Sequence, residues 1–120
     1  MGLDASAYAI DKKDVIDDFN YESHNQVEIA YWRKNWSLNQ FMINLYYMKG
    51  GVDDINNCDF SVRITANDLQ KLKYNIMHKG LPSVYDLGSK KDNIMSYLRF
   101  IKDASKVIAS GKEVYYSANW

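Results

Sequence analysis

Two stretches of this chain carry the same punctuation, and that punctuation restricts the fold more than any other feature. Thr65 followed by Asp68, and Ser89 followed by Asp92, match the pattern in which a hydroxyl and a carboxylate close the first turn of a helix. After the first box, Leu69, Leu72, Ile76 and Met77 recur at helical spacing; Gly80 then stops the helix and Pro82 prevents its resumption. After the second, Ile94, Leu98, Ile101, Ser105 and Ile108 run down one face, flanked by Tyr97 and Ala104, until Gly111 provides a left-handed end. Lys106 and Lys112 lie near the negative pole of that helix. An earlier helix is expected to start near Ser37, with Ser37 as its cap. It carries Leu38, Phe41, Met42, Leu45 and Tyr46 on one stripe and closes at Gly50-Gly51.

Between these helices the apolar period changes to two, the signature of a strand. Phe60, Val62 and Ile64 alternate with Ser61, Arg63 and Thr65, and Val114, Tyr116 and Ala118 alternate with Glu113, Tyr115 and Ser117. Val27, Ile29 and Tyr31 alternate with Gln26, Glu28 and Ala30, and Leu3, Ala5, Ala7 and Ala9 share one side of residues 3–10. The order β-β-α-β-α-α-β predicts an α+β domain over residues 1–120: a small, mainly antiparallel sheet with about three helices on one face. The last strand is expected to tie down Trp120 by pairing. The polar segment 11–25, DKKDVIDDFNYESHN, has no clear period and is expected to be the least ordered part.

Several kinds of chemistry have no local signature here. His24, His78 and the lone Cys58 lie far apart in sequence, with no zinc spacing and no nucleophile motif. No catalytic residue, metal site or cofactor is therefore assigned. The pairs Asp17-Asp18 and Asp53-Asp54 read as solvated loops. One cysteine allows no internal disulfide and suits a reducing compartment. MGLDAS fits the short myristoylation pattern, but Asp4 and the strand that follows argue against it. No apolar run approaches the roughly 18 residues of a membrane span, so no membrane association is expected.

Charge is balanced overall, with fifteen residues of each sign, but it is unevenly spread. Residues 1–30 hold seven acids against two bases, and residues 61–120 hold ten bases against five acids. This lacks the basic excess of a duplex-binding protein. The two segments are expected to face each other in the fold or to be simply solvated, or else to form a polarised surface that steers a partner.

The aromatic content is less easily absorbed. Ten tyrosines and three tryptophans cluster at Tyr46-Tyr47, at Tyr115-Tyr116 and in YWRKNW, residues 31–36. Such side chains suit half-buried sheets and interfaces alike. On a strand, Tyr31 and Arg33 point one way and Trp32 and Lys34 the other, so one face is core and the other exposed.

The opening MGLD, the central EIAYWRKN and the closing VYYSANW together resemble a family of small uncharacterised proteins found mainly in bacteriophage genomes. That family's pattern starts MGLDMYL, carries GYWRKAN followed by Ala-Ile-His and an aromatic-rich helix, and ends YYxSSW. After YWRK this chain reads NWSLNQF, with Asn39 at the place of the family histidine. The resemblance implies a phage protein acting in the cytoplasm of an infected bacterial host, and implies no activity. It selects Tyr31, Trp32, Arg33, Lys34, Tyr115, Tyr116, Ser117 and Trp120 as candidate binding residues, and the aromatic cluster of residues 31–36 adds Trp36. The expected function is a non-enzymatic accessory protein that binds and modulates or inhibits a host protein or defence complex. The alternatives are sequestration of a nucleotide-like molecule, with Trp32, Trp36 or Tyr116 stacking and Arg33 or Lys34 on phosphate, and a small enzyme using His24, His78 or Cys58.

Overall fold

The computed structural model describes residues 2–55, 59–81 and 86–120, so the expectations for Cys58 and Pro82 lie outside the described residues. The element order is β1 (Asp4–Ile10), β2 (Val27–Arg33), α1 (Trp36–Met48), β3 (Phe60–Ile64), α2 (Ala66–Tyr74), α3 (Lys90–Ala109) and β4 (Glu113–Asn119). It matches the expected order of an α+β fold. The four strands form one antiparallel sheet in the order β2-β1-β4-β3.

Register assigns each strand residue to a face. Ala5, Ala7 and Ala9 lie opposite Ala118, Tyr116 and Val114, which in turn lie opposite Phe60, Val62 and Ile64. These residues are all buried and form the inner face, against the helices. The small alanines of β1 leave room for Trp32 and Tyr116 on the neighbouring strands. The outer face carries Asp4, Ser6 and Tyr8 of β1, Ser61 and Arg63 of β3, and Glu113, Tyr115, Ser117 and Asn119 of β4.

β2 departs from simple alternation. Ala30 lies opposite Ala7 and Glu28 opposite Tyr8, so Ile29 is an extra residue in the ladder. A bulge of this kind shifts side-chain parity. Tyr31 consequently faces outward with Ser6, whereas Val27 lies opposite Ala9, and the predicted common face of Val27, Ile29 and Tyr31 is lost.

In α1 the predicted stripe is buried in full. Its cap is Asn35 and not Ser37: the Asn35 carboxamide oxygen accepts from the Leu38 amide at 3.0 Å. Lys34, at φ 52°, turns the chain through the left-handed region just before that cap. Its amide donates to the Leu3 carbonyl and its carbonyl accepts from the Leu87 amide, which hold the turn from both sides. In α2 the capping box of Thr65 and Asp68 is complete. The helix continues into a π-helical turn, Asn75–Lys79, which ends at Gly80 with φ 77°. The wider turn carries Met77 off the expected stripe and into solvent, while Ile76 stays against the core. In α3 Ser89 caps the Asp92 amide as expected. The buried line, however, is Tyr97, Phe100 and Ala104, with Ile101 and Ile108 beside it and Ser105 exposed. The large rings face the sheet because Phe100 meets Trp32 edge-on, with centroids 5.1 Å apart.

Segment 11–25, expected to be the least ordered, lies over the outer face. Tyr115 donates its hydroxyl to the Asp17 carbonyl, Tyr21 packs on the Tyr115 ring, and Arg63 pairs with Asp18. Lys112 also meets Asp11 at 3.6 Å, so the acidic and basic segments do face each other at these points.

Three covered phenols make stability sensitive to alkali. Burial pushes Tyr97 and Tyr115 up to about 12, and Tyr116 also well above the ordinary value. An unfolded chain ionises its tyrosines near 10. The folded state holds the neutral phenols, so their contribution is complete below pH 10 and is lost as pH rises toward 12. A phenolate-absorbance titration is expected to show these tyrosines ionising late, together with loss of the circular-dichroism signal. Ionisation of all tyrosines near the ordinary value, with the fold intact, would contradict their burial.

Candidate functional site

The start, middle and end of the chain meet at one end of the sheet. Asp4 lies opposite Arg33 on one side and Asn119 on the other. One step along, Ala5 lies between Trp32 and Ala118. The Lys34 side chain reaches over Gly2, with Cε about 3.6 Å from where a β-carbon on that residue would stand. The three segments that the sequence set apart are therefore neighbours across β1, β2 and β4.

The side chains of that junction divide between two environments. Trp32, 6% exposed, is inside: its indole N–H donates to Ser96 Oγ at 3.1 Å, and its ring contacts Phe100 and Tyr116. Tyr116 is fully buried, and its hydroxyl donates to Asn39 Oδ1 at 2.7 Å. Tyr97 makes the same kind of bond to Asn35 Oδ1, also at 2.7 Å. Two core phenols thus secure the cap and the first turn of α1 through asparagines. The Asn39 side-chain N–H₂ has no partner among the described residues. Trp36 and Trp120 are half-buried and meet edge-on, and Trp120 also contacts Phe60. Ring packing therefore holds the residue that was expected to be held by strand pairing, since β4 ends at Asn119.

Tyr31, Arg33 and Lys34 are exposed. The Tyr31 hydroxyl donates to Asp4 Oδ1 at 2.6 Å, and that bond raises the phenol above its ordinary value. Arg33 forms no ion pair among the described residues. Tyr115 faces outward but is covered by residues 17–21, while Ser117 remains half-exposed and shares a hydrogen bond with Ser61.

A groove of about 860 Å³ runs from this junction across the outer face. Asp4, Ser6, Tyr8, Ser61, Ser117 and Asn119 form its sheet side, and residues 50–53 with Phe19 and Asn20 form its opposite wall. No sequence signal marks it, because the wall that closes it over the sheet comes from loops without periodicity. Its lining carries Asp4, Asp53 and Asp59 but no Lys, Arg or His. A second cleft, of about 660 Å³, lies between the π-helical turn and the start of α3 and includes His78, Lys79, Asp86 and Lys90. There the Asp86 carboxylate accepts from the Ser37 amide at 2.9 Å and so already occupies the amino end of α1.

His24 and His78 are both exposed and belong to separate regions: His24 to the loop before β2, His78 to the turn after α2. Among the described residues, no three His, Cys, Asp or Glu side chains stand close enough to hold a metal ion. No described helix is long and apolar enough to cross a membrane. No protein family, curated protein or solved structure matches this chain.

Proposed function

We propose that the protein is a non-enzymatic accessory protein that binds another protein and thereby modulates or inhibits it, using the outer face of the sheet. The observation that carries this is the exposed half of the junction. Tyr31 and Arg33, exposed on β2, stand beside Asp4 of β1, which lines the polar and aromatic groove, so all three are held on strands, and Lys34 follows in the turn after β2. Phenol, carboxylate and guanidinium on a rigid scaffold suit recognition of a protein surface. The resemblance to phage proteins supports a bacterial host protein or defence complex as the partner, met in the host cytoplasm.

The nucleotide alternative receives less support. Two of its stacking candidates, Trp32 and Tyr116, are inside the core, and the groove lining has no cation for a phosphate. Capture from bacterial lysate with tagged protein, against a control of matched surface charge, tests the proposal. A specific host protein should be enriched by the wild type and lost with Asp4→Lys at unchanged melting temperature. Equal capture by wild type and Asp4→Lys, or no enrichment over the control, would overturn it. A thermal shift with nucleotides at about millimolar concentration would favour the alternative.

A further inference from the structure

The two edges of the sheet are treated differently. On β3, the outward Arg63 amide donates to the Asp18 carbonyl at 2.7 Å, and Lys49 Nζ donates to the Arg63 carbonyl at 2.6 Å. That edge is blunted by its own chain. On β2, no backbone group of Val27–Arg33 bonds to anything beyond β1 among the described residues. A seven-residue strand is thus left open on one side. Open edges of this kind are templates for another strand.

Its side chains indicate which strand. Glu28 and Arg33 stand at opposite ends of β2 and carry opposite charge. The bulge at Ile29 brings both onto the outer face, Glu28 opposite Tyr8 and Arg33 opposite Asp4. A two-fold axis through Tyr31 would set each Arg33 against the bulge of the other copy, where Glu28 lies. The same register places Ala30 beside Trp32 of the other copy on the inner face, small against large, and pairs the two exposed Tyr31 rings on the outer face. Centring the axis on Ala30 instead would set Glu28 against Trp32, which point to opposite faces. The charge pattern is therefore self-complementary in one antiparallel register.

We infer that β2 pairs antiparallel with β2 of a second copy about Tyr31, joining two sheets into one of eight strands. The inference does not depend on the partner proposed above. It would place two copies of the outer groove on one continuous face, which raises avidity for a repeated or symmetric target.

Sedimentation over a concentration series, with a charge-swap set, tests it. The wild type should show a monomer–dimer equilibrium. Arg33→Glu should weaken dimerisation roughly tenfold or more, because two attractive pairs become repulsive. Glu28→Arg should do the same, and the double variant Glu28→Arg/Arg33→Glu should recover dimerisation. Both changes are on exposed side chains, and circular dichroism confirms that each of the three variants is folded. A wild type that stays monomeric throughout the series overturns the inference, as does a dimer indifferent to the single charge reversals. A dimer that both single variants weaken but the double variant fails to restore overturns the proposed register.

Discussion

Replacing Trp32 with alanine is expected to cost about 3–5 kcal/mol, on the scale for truncating a large buried aromatic. The indole closes the core over the first half of α3. It meets Phe100 edge-on at 5.1 Å and Tyr116 at 6.1 Å, and it supplies the hydrogen bond to Ser96. The neighbouring alanines Ala5 and Ala30 are too small to fill the space left behind. Tyr31, one residue earlier, is 56% exposed and has its ring on the other face. Tyr31→Ala should leave the melting temperature close to that of the wild type. Urea denaturation followed by circular dichroism checks the pair. Equal losses at the two positions would contradict the division of this strand between core and surface.

The second large effect is expected at Asp68. This carboxylate is buried and has three donors: the Thr65 amide at 2.9 Å, the Thr65 hydroxyl at 3.0 Å and the Lys49 ammonium. Lys49, at the end of α1, also donates to the Arg63 carbonyl. One carboxylate therefore joins the end of α1 to the start of α2 beside the blunted edge of β3. Asp68→Ala removes the carboxylate half of the capping box, while Thr65 keeps its bond from the residue-68 amide, and leaves the largely buried ammonium with a single acceptor, an expected loss of about 3 kcal/mol. Lys49→Met together with Asp68→Ala should lose less than the sum of the single changes, because the second replacement removes a stranded charge. Additivity in the double-mutant cycle would mean that the ammonium is well solvated without its partner.

Much of this fold is legible in the sequence because local signals and packing agree. The alanine positions of β1, the β3 and β4 alternations and the α1 stripe all face the core as their spacing implies. The Thr65–Asp68 box forms with both of its hydrogen bonds. Failures occur where a non-local contact decides the local choice. Asn35 displaces Ser37 as the cap because its carboxamide also accepts from the distant Tyr97, and because Lys34 takes a conformation that no propensity favours. The face of α3 is set by the meeting of Phe100 and Trp32, not by its isoleucines. The bulge at Ile29 decides that Tyr31 and Glu28 share the outer face, and no residue in VEIAYWR announces it.

The candidate site is legible to a similar degree. Of the nine selected residues, Tyr31, Trp32, Arg33, Lys34, Trp36, Ser117 and Trp120 lie at or near one end of the sheet, Tyr116 and Tyr115 lie farther along β4 opposite Ala7 and Tyr8, and the set splits by depth. Trp32, Tyr115 and Tyr116 are covered, Trp36, Ser117 and Trp120 are half-exposed, and Tyr31, Arg33 and Lys34 are exposed. An aromatic-rich motif has the same composition whether its rings form a core or a surface. Only the register, fixed by β1 lying between β2 and β4, separates the two.

Site-specific photo-crosslinking tests the proposed binding face most directly. A photoreactive phenylalanine placed at Tyr8, inside the outer groove, is compared with one at the exposed Met95 on α3. The proposal predicts one discrete adduct with a host protein from position 8, none from position 95, and its loss on Asp4→Lys. Crosslinking from position 95 alone, or from both positions without regard to Asp4, would contradict it.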